Sequence, residues 1–75
     1  MNTYTIIFNW DDEACVWIAT SKDVRGLVLE AESFDELVRE VHLAVPTLLE
    51  LNNILNNDIT LDFIARRQER LVYNG

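Results

Sequence analysis

Few side chains in this sequence are equipped for more than packing, and their spacing limits what they can do. Asp11-Asp12-Glu13 is the densest run of carboxylates. Metal-assisted phosphodiester chemistry needs carboxylates converging from several strands onto one point. Three consecutive residues in a short turn splay apart instead, so the run reads as a solvated or partner-facing turn and no metal site is expected. His42 is the sole imidazole. A general base needs an orienting partner and a nucleophile within reach. The serines already have duties, Ser21 in a turn and Ser33 at a helix cap, so His42 reads as a structural or surface residue. Cys15, the sole cysteine, sits in a strand-like apolar stretch, where a thiol behaves as a small hydrophobe; it is expected in the core. No catalytic residue and no cofactor is expected, and the chain does not read as an enzyme.

Two other groups bear on binding. Trp10 and Trp17 can stack on bases, but such platforms come with a basic groove. Residues 1–50 instead hold ten acids against three bases, a balance of −7, while residues 51–75 balance at zero. Core or interface tryptophan is therefore the better reading. Arg66, Arg67 and Arg70 form the only basic cluster. Three arginines are few for a nucleic-acid surface, and pairing with acids of a neighbouring strand or subunit is the alternative. The net charge of −7 repels phosphate backbones and anionic lipids, and it favours encounter with a basic partner.

The elements that must position these residues are short. Seventy-five residues make one domain, and a chain this size hides only about 60% of its unfolded surface. Small domains gain support from disulfides, a metal or self-association. One cysteine and one histidine leave self-association. No secretory signal or bilayer-spanning run is visible, so a cytoplasmic location is expected. Thr3 to Trp10 alternates as a strand, Asp11 to Ala14 has the length of a hairpin loop, and Cys15 to Thr20 reads as the returning strand. That second strand is apolar on both faces, with Val16 and Ile18 on one and Cys15, Trp17 and Ala19 on the other. One helix cannot cover both, so a second subunit is expected there, with Val16, Ile18 and Trp17 as its contact residues. Ser21 to Gly26 is a turn and Leu27 to Ala31 a third strand. Ser33-Phe34-Asp35-Glu36 is a capping box opening an amphipathic helix. Pro46 predicts a kink near residues 42–46, and Asn52, Asn53, Asn56 and Asn57 mark a loop. Residues 59–73 fit either a helix or a strand.

Trp10-Asp11-x-Glu13-Ala14-x-Val16-Trp17-x-Ala19-x-Ser21-x-Asp23-Val24-x-Gly26-Leu27, then Glu30-Ala31, Leu37 and Pro46-x-Leu48-Leu49-Glu50-x-Asn52, resembles a family of short bacterial proteins grouped with the N-terminal domain of HicB antitoxins. The resemblance covers nearly the whole chain. It implies an α+β fold, a small antiparallel sheet with one packed helix in the order β-β-β-α-β, akin to a degraded RNase H-like unit whose catalysis is lost. It also implies that residues 59–73 form the fourth strand. HicB proteins bind HicA, a small basic toxin that cleaves messenger RNA, and often oligomerise. The implied function is an antitoxin that occludes such a ribonuclease, with a homodimer or higher homo-oligomer expected. An orphan oligomeric interaction domain is the alternative, and a residual metal-dependent nuclease a more distant one. Arg25 stands where HicB proteins carry Pro. The 75 residues leave no room for the DNA-binding module of full-length HicB proteins, so no direct DNA binding is expected. Asp11, Asp12, Glu13 and Asp23 at the hairpin ends, with Glu36 and Glu40 on the helix, are the candidate partner-binding carboxylates.

Overall fold

The computed structural model describes residues 2–54 and 58–75. Its elements are β1 (Asn2–Asp11), β2 (Val16–Thr20), β3 (Val28–Ala31), α1 (Phe34–Leu51) and β4 (Ile59–Arg66). The expected β-β-β-α-β order is what the chain adopts. The tail is a strand as far as Arg66, while residues 67–75 form no regular element. Asn56 and Asn57 of the expected loop lie outside the described residues.

The strands form one sheet in the order β3-β2-β1-β4. The sheet is mixed rather than wholly antiparallel: β1 pairs β2 and β2 pairs β3 antiparallel, but β4 lies parallel to β1. Connectivity dictates this. Two hairpin reversals leave β3 running the same way as β1, and a helical crossover then returns β4 in the direction of β3. β4 therefore enters the sheet parallel, on the far side of β1.

Alternation along the strands divides the sheet into two faces. Tyr4, Ile6 and Phe8 of β1, Ala19 of β2 and Ala31 of β3 are buried beneath Leu37, Val41, Val45 and Leu49 of α1. Trp17, Leu29, Phe34, Ile59, Leu61 and Phe63 pack around that core. Phe8 is its aromatic hinge, with ring centroids 4.8 Å from Phe34 and 5.1 Å from Phe63. Trp17 extends the cluster, 5.3 Å from Phe34 and 5.6 Å from Trp10.

Both ends of α1 are specified locally. Ser33 is extended at the N-cap, and its hydroxyl accepts from the Glu36 amide at 3.1 Å. At the other end Asn53 adopts a left-handed φ of 61°. The Asn53 amide donates to the Glu50 carbonyl and that of Ile54 to the Leu49 carbonyl, so a Schellman-type stop closes the helix with Asn in the role usual for Gly. Pro46 lies inside α1, which continues through it to Leu51. Pro46 and His42, whose carbonyl the missing amide would have met, are both exposed, so water can satisfy that carbonyl.

The turn between β2 and β3 is built from side chains. The last β1–β2 pair is Ile7 with Thr20, so Thr5 faces a position where β2 has already ended. Ser21 Oγ donates to the Thr5 carbonyl at 2.6 Å, and Asp23 Oδ2 accepts from the Thr5 amide at 2.8 Å. Two side chains thus stand in for the missing strand. Ser21 Oγ also accepts from the amides of Asp23 and Val24, both at 3.0 Å. Next comes a tight turn closed by the Leu27 amide on the Val24 carbonyl, with Gly26 at φ 89°. Asn52 Nδ2 donates to the Arg25 carbonyl at 3.1 Å and ties the end of α1 to this turn.

Replacing Ser21 leaves one carbonyl and two amides without their partner. Ser21→Ala is expected to cost about 1–3 kcal/mol, read as a fall in Tm of roughly 4–8 °C per kcal/mol. Lys22→Ala, exposed in the same turn, is expected to stay within about 0.5 kcal/mol. Equal effects of the two substitutions in thermal melts would contradict the structural role of Ser21.

Candidate protein-interaction surface

The sheet face turned away from α1 carries no described element. The register places the side chains there in rows across the strands. Val28, Thr20, Ile7 and Ile64 form one row, and Glu30, Ile18, Asn9 and Arg66 the next. Val16 lies beside Asp11 at the hairpin end, and Asp62 beside Thr5 further down. None of these apolar residues belongs to the core cluster. Val28 is 71% exposed and Ile64 47%. The surface therefore has an apolar centre of Ile7, Ile18, Val28 and Ile64, rimmed by Asp11, Glu30 and Asp62 with one cation, Arg66. An apolar centre with a charged rim is the anatomy of a protein-binding surface.

The expected contact residues divide between the two faces. Val16 and Ile18 lie on the open face. Trp17 does not, because pairing with Trp10 and Ala31 turns it toward α1, where its ring meets Phe34. Strand alternation already separated Trp17 from its neighbours. Alternation alone puts Ile7 opposite Tyr4, Ile6 and Phe8, but it joins Val28 and Ile64 in one row only through the register, and Ile64 only once residues 59–66 are a strand.

The six candidate carboxylates do not make one patch. Asp11, Asp12 and Glu13 sit together at the β1–β2 turn. Asp11 Oδ1 accepts from the amides of Glu13 and Ala14 at 3.1 and 3.2 Å, and Asp12 Oδ1 accepts from Trp10 Nε1 at 3.2 Å, so two of the three carboxylates shape the turn. Asp23 lies beyond the opposite end of β2, roughly 17 Å away for a five-residue strand, where it holds the Thr5 amide. Glu36 and Glu40 are on α1, behind the open face. Among the described residues no group of three or more His, Cys, Asp or Glu side chains is placed to hold a metal ion.

Cys15 is not a core residue. It is the last residue of the turn, exposed, at φ 55°, with Sγ 3.6 Å from the Asp12 carbonyl. The strand begins at Val16 because Asp11 needs four turn residues to reverse the chain. The apolar neighbours of Cys15 in sequence make the end of a turn look like the start of a strand. His42 is exposed on α1, its ring 6.0 Å from Phe63 in an edge-on contact.

At the end of β4 the arginines part. Arg66 lies on the open face beside Asn9. The Arg67 guanidinium covers the Trp10 ring at 4.2 Å and is held by Glu69 at 2.8 Å. This roof closes the outer end of the aromatic cluster, a cation–π contact worth about 0.5–1 kcal/mol at exposed sites. No helix among the described residues is long and apolar enough to cross a membrane.

Residues 3–74 match the model of a family described as a domain of unknown function, DUF1902. No curated protein matches the chain. Among solved structures, a hypothetical protein from the extremely thermophilic bacterium Thermus thermophilus is similar at 38% identity, over 96% of this chain and 100% of that one, with a TM-score of 0.80.

The position of Cys15 is directly measurable. In the native state its thiol is expected to react with Ellman's reagent within about threefold of the rate in denaturant, as accessible thiols do. Protection by orders of magnitude would return Cys15 to the core.

Proposed function

We propose that this chain, which belongs to the DUF1902 family, is a non-catalytic adhesive domain that occludes a small basic ribonuclease in the manner of a HicB antitoxin. The observation that carries this reading is the uncovered sheet face, with Ile7, Ile18, Val28 and Ile64 at its centre and Asp11, Glu30 and Asp62 around them. The apolar centre supplies contact area. The carboxylates meet the groups with which such an enzyme grips RNA phosphates. Asp12 and Glu13, beside Asp11, extend the acidic rim. Asp23, Glu36 and Glu40 are not part of it, the first committed to Thr5 and the others on the helix side.

The mechanism is exclusion. A ribonuclease seated on this face has its RNA-binding cations neutralised and its entrance filled, and no bond is made or broken by the domain. Both partners work in the cytoplasm, where messenger RNA is. The resemblance in the hairpin, turn and helix words supports a HicB-like role, and the net charge of −7 supports a basic partner.

A second reading is favoured by the same face. A row such as Val28-Thr20-Ile7-Ile64 can meet its own copy about a two-fold axis, which would make the domain an oligomeric scaffold without a toxin.

Inhibition of RNA cleavage separates the two. The purified chain is expected to stop RNA cleavage by a small basic HicA-like ribonuclease from the same cells at near-equimolar ratio. Ile18→Asp and Ile64→Asp are each expected to raise the required concentration at least about tenfold, or ~1.4 kcal/mol, while Glu36→Gln on the helix side leaves it unchanged. No inhibition at a hundredfold excess would sink the antitoxin reading. If Ile18→Asp then also converted an oligomer to a monomer in sedimentation, the scaffold reading would stand in its place.

A further inference from the structure

Residues 67–75 leave β4 as an arm. All nine are exposed, with Leu71 at 89% and Tyr73 at 83%. The molecule measures 56 × 20 × 18 Å, with a radius of gyration of 14.7 Å, against about 11 Å for a compact chain of this length. A ten-residue strand spans about 33 Å and the 18-residue helix packed beside it about 27 Å, both well short of 56 Å. Leu71-Val72-Tyr73 is an exposed run of three large apolar residues, which folded domains avoid unless it has a use.

The other side of the molecule offers a seat. β3 is an edge strand with β2 as its one neighbour, so half of its backbone groups point away from the sheet. Beside that edge a groove runs along α1, lined among others by Val28, Leu43, Ala44, Leu48, Glu30 and Glu40. Leu43 is 77% exposed, whereas Leu37 and Leu49 of the same helix are buried.

We infer that two copies of this chain exchange their arms, Arg70 to Tyr73 of each lying along the β3 edge and in the β3–α1 groove of the other. Charge selects this groove. Its ionisable lining is Glu30 and Glu40, and the arm brings Arg70. The groove on the opposite side of α1, lined by His42, Val45, Pro46, Ile59, Leu61 and Phe63, holds no carboxylate. Residues 1–66 carry twelve acids against four bases, a balance of −8, whereas residues 67–75 carry two arginines against Glu69, a balance of +1. The arm is thus the positive segment of a negative molecule. An extended arm adds backbone hydrogen bonds to the free edge and places Leu71 and Tyr73 on one side, against Leu43, Ala44 and Leu48. The exchange is between copies because the arm leaves β4, at the opposite edge of the sheet from β3, with Arg67 held over Trp10 and Arg70 beside Asp12 at the β1–β2 turn. Each copy gives one arm and receives one, so the assembly closes at two. This does not rest on a ribonuclease partner and leaves Ile7, Ile18 and Ile64 of the open sheet face uncovered, touching that face only at Val28 and Glu30 on the β3 edge.

Sedimentation equilibrium of the full chain tests it. The wild type is expected to be dimeric at micromolar concentration. Leu71→Asp with Tyr73→Asp should raise the dimer dissociation constant at least about tenfold with an unchanged melt, since neither side chain is in the core. With Leu71 and Tyr73 against α1, Arg70 points away from that helix, toward Glu30 of β3, so Arg70→Glu and Glu30→Arg should each weaken the dimer, and the two combined in one chain should restore it. Ile18→Asp on the open face should leave the dimer intact. In a Cys15→Ser background, Leu71→Cys with Leu43→Cys should oxidise to a covalent dimer. An intramolecular disulfide in a monomer would show the arm folding onto its own groove. A monomeric wild type, or a dimer indifferent to the arm substitutions but lost with Ile18→Asp, would equally overturn the exchange.

Discussion

A single 18-residue helix, about 27 Å long and 10 Å across, lies over a four-stranded sheet roughly 14 Å wide. That geometry seals one face and no more. The sealed side receives every buried apolar residue of the strands, from Tyr4 to Ala31, and all the ring contacts among Phe8, Phe34, Phe63 and Trp17. The other side keeps isoleucines and valines that cost free energy in contact with water, about 25 cal/mol per Å² of apolar surface. In a domain whose total stability is a few kcal/mol, such a surface is an invitation to a partner.

The turn between β2 and β3 allows so small a sheet to present that face without fraying. β1 has ten residues and β2 five, so the lower half of β1 has no β2 to pair with. Ser21 and Asp23 supply the hydrogen bonds that Thr5 would otherwise lack, and Gly26 reverses the chain into β3. The Ser21-x-Asp23-Val24-x-Gly26-Leu27 words that carry much of the family likeness are thus a strand substitute rather than a site. The Asp11 turn is similar, with carboxylates occupied by backbone amides and by Trp10. Acidic side chains in a small domain can be scaffolding first and charge second.

How much of this was legible in the sequence varied with the range of the interaction involved. The Ser33 cap and the face of α1 follow from local spacing and needed nothing else. Strand β4 did not: Leu61 and Ala65 fit two periods, and the strand forms through pairing with β1, which lies far away in sequence. Cys15 failed for a related reason, since hydropathy cannot show where a turn ends when Asp11 recruits amides two and three residues on. The acidic residues were legible as a surplus but not as a surface. Their placement on a rim, a staple or a helix depends on register, which a one-residue slip would invert. Trp17 went to the core by the same parity that left Val16 and Ile18 outside.

The central claim is that the uncovered face is where this domain meets its partner. The isoleucines are natural reporters, because Ile7, Ile18 and Ile64 lie on that face while Ile6 and Ile59 lie on the helix side. Methyl spectra of isoleucine-labelled protein, recorded as the proposed partner, a small basic ribonuclease, is added, read both sides at once. The account predicts shifts or broadening at Ile7, Ile18 and Ile64, with Ile6 and Ile59 nearly unmoved. Perturbation confined to Ile6 and Ile59, or none at saturating ribonuclease, would contradict it.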